Sequence, residues 1–157
     1  MPKDTPSMAK NKIKRSLTAI CDPHPTKKQV DELWEYFSSS CAYCGLFINK
    51  KSRTGHIDHL IPAAEGGSNN IYNHALACSK CNGDEKREEF WLSFLEKKSN
   101  NQLIFKQRKQ KIDNWIALSP LISINNAMTE EADKIIREAI NNFEISVEKM
   151  RLLRTKL

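Results

Sequence analysis

No stretch of the sequence approaches the roughly 18 consecutive apolar residues that would span a bilayer. The first twenty residues, MPKDTPSMAKNKIKRSLTAI, lack the apolar core of a secretory signal. From these two absences we expect a cytoplasmic protein without a membrane partner. There is no internal repeat and no low-complexity tract. Nor is there chain enough for a large interior, because 157 residues are about one domain's worth, with room for one modest core and an appendage. Acidic side chains are in deficit, 19 against 25 Lys and Arg, and the formal charge is +6. That balance suits an acidic partner such as nucleic acid without demanding one, and a merely basic domain fits it equally well.

Five cysteines are present, and a reducing compartment would keep them from forming a disulfide framework. Four fall into two pairs, Cys41-Ala42-Tyr43-Cys44 and Cys78-Ser79-Lys80-Cys81, separated by 33 residues. Two C-x-x-C knuckles at such a distance read as a tetrahedral structural zinc site, since the two-residue gap lets both thiolates of a turn face one ion at about 2.3 Å. A redox pair is the competing reading, but it needs a single C-x-x-C opening a helix. Cys21 has no partner and reads as an ordinary thiol.

Along the chain, residues 1–25 read as a mobile basic arm, with Lys3, Lys10, Lys12, Lys14 and Arg15 against Asp4. Thr26 with Gln29 fits a capping box, and Val30, Leu33, Trp34 and Phe37 recur at helical spacing, which predicts a helix over 26–38 with Trp34 and Phe37 in the core. A module runs over 26–99, counting that helix. Within it, short strands are expected at 45–49 and 54–60, then a loop marked by Pro62 and Gly66-Gly67-Ser68-Asn69-Asn70. A helix is expected at 84–98 with Phe90, Trp91, Phe94 and Leu95 on one side. Residues 100–157 read as two further helices, 101–118 and 129–156, split at Ser119-Pro120. The second carries a stripe from Ala132 to Leu153 that would pack on its own protein, form a homodimer seam or dock on a partner protein. Lys106, Arg108, Lys109 and Lys111 form a basic cluster that is either a solvated face or a phosphate contact.

The segment GHIDHLIPAAEGGSNNIYNHALACSKCN, residues 55–82, concentrates polar ligands where core residues are few. A metal bound by the four cysteines would close it into a loop and stand in for the missing hydrophobic core. Asp58-His59, Pro62, Gly66-Gly67, Asn73, Cys78-x-x-Cys81-Asn82 and Lys86 together resemble an HNH endonuclease of the zinc-knuckle type. Asn73 lies 14 positions after His59, Cys78 five after Asn73, and Asn82 directly follows the last cysteine. The likeness spans about Cys41 to Lys86, less than a third of the chain.

This resemblance implies an α+β fold, a small ββα-metal core flanked by an N-terminal helix and C-terminal helices. It implies a DNA-cleaving enzyme in which His59 is the general base, Asp58 and Asn82 hold a catalytic divalent ion, and Asn73 fastens the loop and orients the histidine. With Asn82 at the final position the chain is an H-N-N variant, and an amide oxygen there favours hard ions, Mg²⁺ or Mn²⁺. Where the family commonly has leucine after the middle asparagine, this chain has His74. It reads as a partly buried histidine, a phosphate contact or an extra ligand. His56 would share a strand face with Asp58 and reads as a phosphate or metal contact. Lys80, Lys86 and Arg87 are further candidates for phosphate, beside Lys51 and Arg53.

The chemistry accounts for these residue types by itself. Phosphodiester hydrolysis needs an activated water, a neutral imidazole to accept its proton, and a cation to neutralise the leaving oxygen. Strand alternation would point Asp58 and His59 to opposite faces, so the strand must end or bend there. The expected function is therefore a metal-dependent endonuclease, with restriction or defence as the preferred setting over phage DNA processing or intron mobility. Two alternatives remain: a non-catalytic zinc module that binds nucleic acid, and an effector subunit docked on a larger complex.

Overall fold

The computed structural model describes residues 4–119 and 126–156, with side chains from residue 130 in the second segment. Lys3 and Pro120 of the expectations above lie outside these residues, as does the side chain of Thr129, which opens the helix expected over 129–156. The chain separates into two units, one of residues 24–121 and one that joins 1–23 to 122–157.

The first unit holds the cysteine pairs. Helix α2, Lys27–Tyr36, starts at Thr26, whose side chain accepts from the Gln29 amide while Gln29 reaches back to the Thr26 amide. Such a reciprocal cap stabilises a helix start by about 1 kcal/mol. Leu33, Trp34 and Phe37 are buried as their spacing predicts. Strands β1, Gly55–His59, and β2, His74–Cys78, pair antiparallel with Gly55 opposite Cys78 and His59 opposite His74. A π-type helical turn, Lys80–Lys86, follows β2 directly, which completes a ββα arrangement in an α+β unit. Helices α3, Trp91–Lys98, and α4, Gln102–Ala117, finish it. Their Trp91, Phe94, Leu95, Ile112 and Trp115 join the same core as α2 and β2.

Three local expectations are corrected. Residues 45–49 are not a strand: Gly45 stands at φ 76 as part of the knuckle turn, and only the bridge Ser40↔Phe47 forms. The partner of β1 is instead 74–78, where all five residues are buried. A strand buried on both faces carries no polar alternation, which is why pattern reading passed over it. The helix expected at 84–98 is broken at Arg87, φ 49, and restarts at Trp91, leaving Phe90 exposed.

In the second unit, residues 6–21 are not an unstructured arm. They form α1, Pro6–Cys21, begun by Thr5 and Pro6, and α1 packs on α5, Asn126–Arg154. Ala9, Ile13 and Leu17 are half-buried along α1, and α5 buries Ile136 in line with Ala132, Ala139, Phe143 and Val147. Lys10 pairs with Glu144 at 2.5 Å. α5 thus packs within its own chain, and α4 belongs with the cysteine-bearing unit rather than with α5. Among the described residues no helix is long and apolar enough to cross a membrane.

Candidate active site and metal cluster

The four paired cysteines meet. Their sulfurs all lie within 4.8 Å of one another, and Cys44 and Cys78 are 3.8 Å apart. A tetrahedron of thiolates about 2.3 Å from an ion has an edge of about 3.8 Å, so the donor set fits one metal ion. A hydrogen bond from Cys81 draws the Cys41 thiol down to about 5, whereas burial and the neighbouring Cys41 push Cys44 up to about 11. Four sulfurs this close hold little negative charge by themselves, and a cation lifts that restriction. The fifth cysteine, Cys21, is exposed.

The first knuckle is braced from α4. Arg108 donates to the carbonyls of Tyr43 at 2.7 Å and Cys44 at 2.9 Å. At Gly45 a Cβ would stand 2.7 Å from the Arg108 guanidinium, and the positive φ already favours glycine. Arg108, expected within a basic surface cluster, is therefore part of the scaffold.

β1 ends at the Asp58-His59 pair, and both residues line one cleft of about 320 Å³ together with Ile57, Asn82, Arg87 and Glu88. Asn73 secures the strand end. Its Oδ1 accepts from the Ile61 amide at 3.0 Å, and its Nδ2 donates to the carbonyls of Ile61 at 3.1 Å and Ser68 at 2.9 Å. Those bonds tie the exit of β1 to the Gly-Gly loop. His59 Nε2 lies 3.3 Å from Asn69 Oδ1, an acceptor that suits a ring proton on Nε2.

Asp58 is 5 % exposed and held by two buried donors. The Tyr43 hydroxyl donates to Oδ2 at 2.6 Å, and Lys86 Nζ lies 3.1 Å from Oδ2 and 3.4 Å from Oδ1. Lys86 also donates to the His59 carbonyl at 2.8 Å. Burial pushes the Asp58 carboxyl above its ordinary value, and Tyr43 and Lys86 pull it partly back. An ionised carboxylate has about four acceptor directions, so these donors leave Asp58 capacity for a cation, and the amide oxygen of Asn82 across the same cleft suits a hard divalent ion.

One expected phosphate contact, Lys86, is corrected, and His74 falls to the buried reading among its three alternatives. Lys86 is 2 % exposed because the π turn swings it beneath Asp58, and His74 is 1 % exposed at the start of β2. The His74 Nδ1 meets the Asn70 carbonyl at 2.8 Å, which makes it the buried-histidine case. His56, Lys80 and Arg87 remain exposed. Sequence reading missed Tyr43, Asn69 and Arg108. An aromatic residue inside a cysteine knuckle was a signal for the first, whereas Arg108 carried none.

Residues 41–88 match the family model described as HNH endonuclease. The chain carries an HNH domain. Its bounds enclose both cysteine pairs, the cleft and all of β1 and β2. A curated relative from Bacillus subtilis (strain 168), named "SPbeta prophage-derived putative HNH endonuclease YoqL", is 28% identical over 126 residues, which is 68% of this chain and 50% of the relative. The chain thus spans about half the length of the curated relative it matches.

Proposed function

We propose that this protein is a metal-dependent HNH endonuclease that hydrolyses phosphodiester bonds of DNA. The observation that carries the reading is the convergence of His59, Asp58 and Asn82 on one cleft inside the HNH domain. His59 acts as general base, taking a proton from the attacking water at Nδ1 while Asn69 holds Nε2. Asp58 and Asn82 hold the catalytic ion, Mg²⁺ or Mn²⁺. When bound, that ion supplies positive charge to the scissile phosphate and the leaving 3′ oxygen. Asn73 is a positioning residue that sets the end of β1 and hence the aim of His59. Arg87 meets a phosphate in this reading, supported by its exposure at the cleft on a backbone conformation that L-residues rarely adopt, with His56 and Lys80 as outer contacts.

The four cysteines hold Zn²⁺ as a structural ion, and reduced thiols suit the cytoplasm. Restriction or defence is the preferred setting. The prophage origin in the name of the similar B. subtilis protein favours phage DNA processing as a second reading. The test is incubation of the purified protein with supercoiled plasmid in EDTA, Mg²⁺ or Mn²⁺, with bound zinc counted. Nicked or linear product that depends on the divalent ion supports a nuclease, and discrete fragments favour restriction. No cleavage at full zinc content would replace the nuclease with a zinc-stabilised binding module or a partner-dependent effector.

A further inference from the structure

Each cysteine knuckle sends one buried side chain to the same carboxylate. Tyr43 sits between Cys41 and Cys44, is fully buried, and spends its hydroxyl on Asp58 Oδ2 at 2.6 Å. Lys86 closes the π turn that begins beside Cys81 and also reaches Asp58, 3.1 Å from Oδ2. The knuckle that carries Tyr43 is itself clamped from α4 by Arg108, through the carbonyls of Tyr43 and Cys44. Tyr43 is further fixed edge-on against Phe94, ring centroids 5.0 Å apart. Its hydroxyl therefore points at Asp58 with little freedom.

We propose that Tyr43 is a positioning residue for the catalytic ion: it holds the Asp58 carboxylate in its ion-binding orientation and so makes the cysteine cluster and the reaction centre one mechanical unit. The proposal rests on the reading of Asp58 as a ligand of that ion. With the Tyr43 hydroxyl gone, Lys86 alone would hold the Asp58 carboxylate and leave it more rotational freedom, and a ligand that must first be ordered binds more weakly. Lys86 anchors the same carboxylate but carries a charge that opposes a cation, so its removal changes two things at once. Tyr43 is neutral, and Tyr43→Phe deletes one hydroxyl while keeping the ring against Phe94.

The test is Mn²⁺ binding without DNA, followed by the electron paramagnetic resonance of the free ion, on protein with its cysteine-bound metal fully loaded. Wild type, Tyr43→Phe, Asp58→Ala and Tyr36→Phe are compared, the last because the Tyr36 hydroxyl serves only the Lys111 carbonyl among the described contacts. Tyr43→Phe is expected to weaken Mn²⁺ binding about tenfold and to raise the ion concentration for half-maximal cleavage equally, with cysteine-bound metal and KM for DNA unchanged. Tyr36→Phe leaves Mn²⁺ binding as in wild type. If Asp58→Ala weakens binding and Tyr43→Phe lowers only the melting temperature, Tyr43 is a packing residue and the proposal fails while the site reading stands. If Asp58→Ala binds Mn²⁺ as wild type does, the ligand reading fails and takes the proposal with it.

Discussion

The imidazole of His74 lies against that of His59, ring centroids 4.1 Å apart, at the last paired position of β1 and β2. Burial, with the nearby His59, holds the His74 ring down to about 4. His74 thus stays neutral near pH 7 beside the proposed base His59, and it adds no standing positive charge to the cleft. Its folded value lies below the ordinary 6.5, so the unfolded chain binds the extra proton first as pH falls. The resulting stability is present above about pH 6.5 and is lost toward about pH 4, by up to about 3 kcal/mol. Urea unfolding of wild type and His74→Leu between those limits checks this. The variant is expected to lack that part of the acid-side loss, and parallel profiles would contradict it.

His59→Ala removes the proposed base without touching the three bonds of Asn73 or the cysteine cluster. Loss of general-base catalysis is expected to cost about 10²- to 10⁴-fold in cleavage rate. Zinc content and melting temperature should remain those of wild type. Single-turnover plasmid cleavage, with metal analysis on the same samples, decides the matter, and an unimpaired rate would move the base to another residue.

The cysteine cluster predicts the opposite pattern. Cys78→Ser replaces one of four converging sulfurs at the end of β2, where the residue is buried. Bound metal, melting temperature and activity are expected to fall together, because ion binding and folding are linked. A full zinc complement in Cys78→Ser would show that the four cysteines do not share an ion.

What was legible in the sequence follows from covalent spacing. Cysteines with two residues between them, Asp58 beside His59, and Asn82 after Cys81 keep their relations in any fold, so these groupings were readable from offsets. The cap at Thr26 is local and was readable for the same reason. β2 was not, because Ala75-Leu76-Ala77-Cys78 is apolar throughout and shows no period. Lys86 looked like a surface cation until the π turn placed it inside, since one extra residue per turn re-aims every side chain beyond it. The pairing of α1 with α5 joins segments more than a hundred residues apart, as in Lys10 with Glu144, and no local pattern encodes it.

Gly67 tests how closely the Gly-Gly loop must press on the strand exit. Its amide donates to the Pro62 carbonyl at 3.0 Å, and a Cβ there would stand 1.8 Å from the Ile61 carbonyl oxygen and 2.9 Å from Asn73 Nδ2. The first neighbour is backbone and cannot step aside, so any side chain must displace the loop and stretch the Asn73 bonds that tie it to β1. Gly67→Ala is therefore expected to destabilise the unit by about 2 kcal/mol or more and to misaim His59, lowering the cleavage rate even at temperatures where the protein stays folded. Gly66, with open space around its Cβ position but φ 82, is the comparison: Gly66→Ala strains only its own backbone, at a cost of about 1–2 kcal/mol. Melting curves and cleavage rates of the two variants check this, and a Gly67→Ala enzyme as active as Gly66→Ala at equal folded fraction would show that the Asn73 bonds do not set the aim of His59.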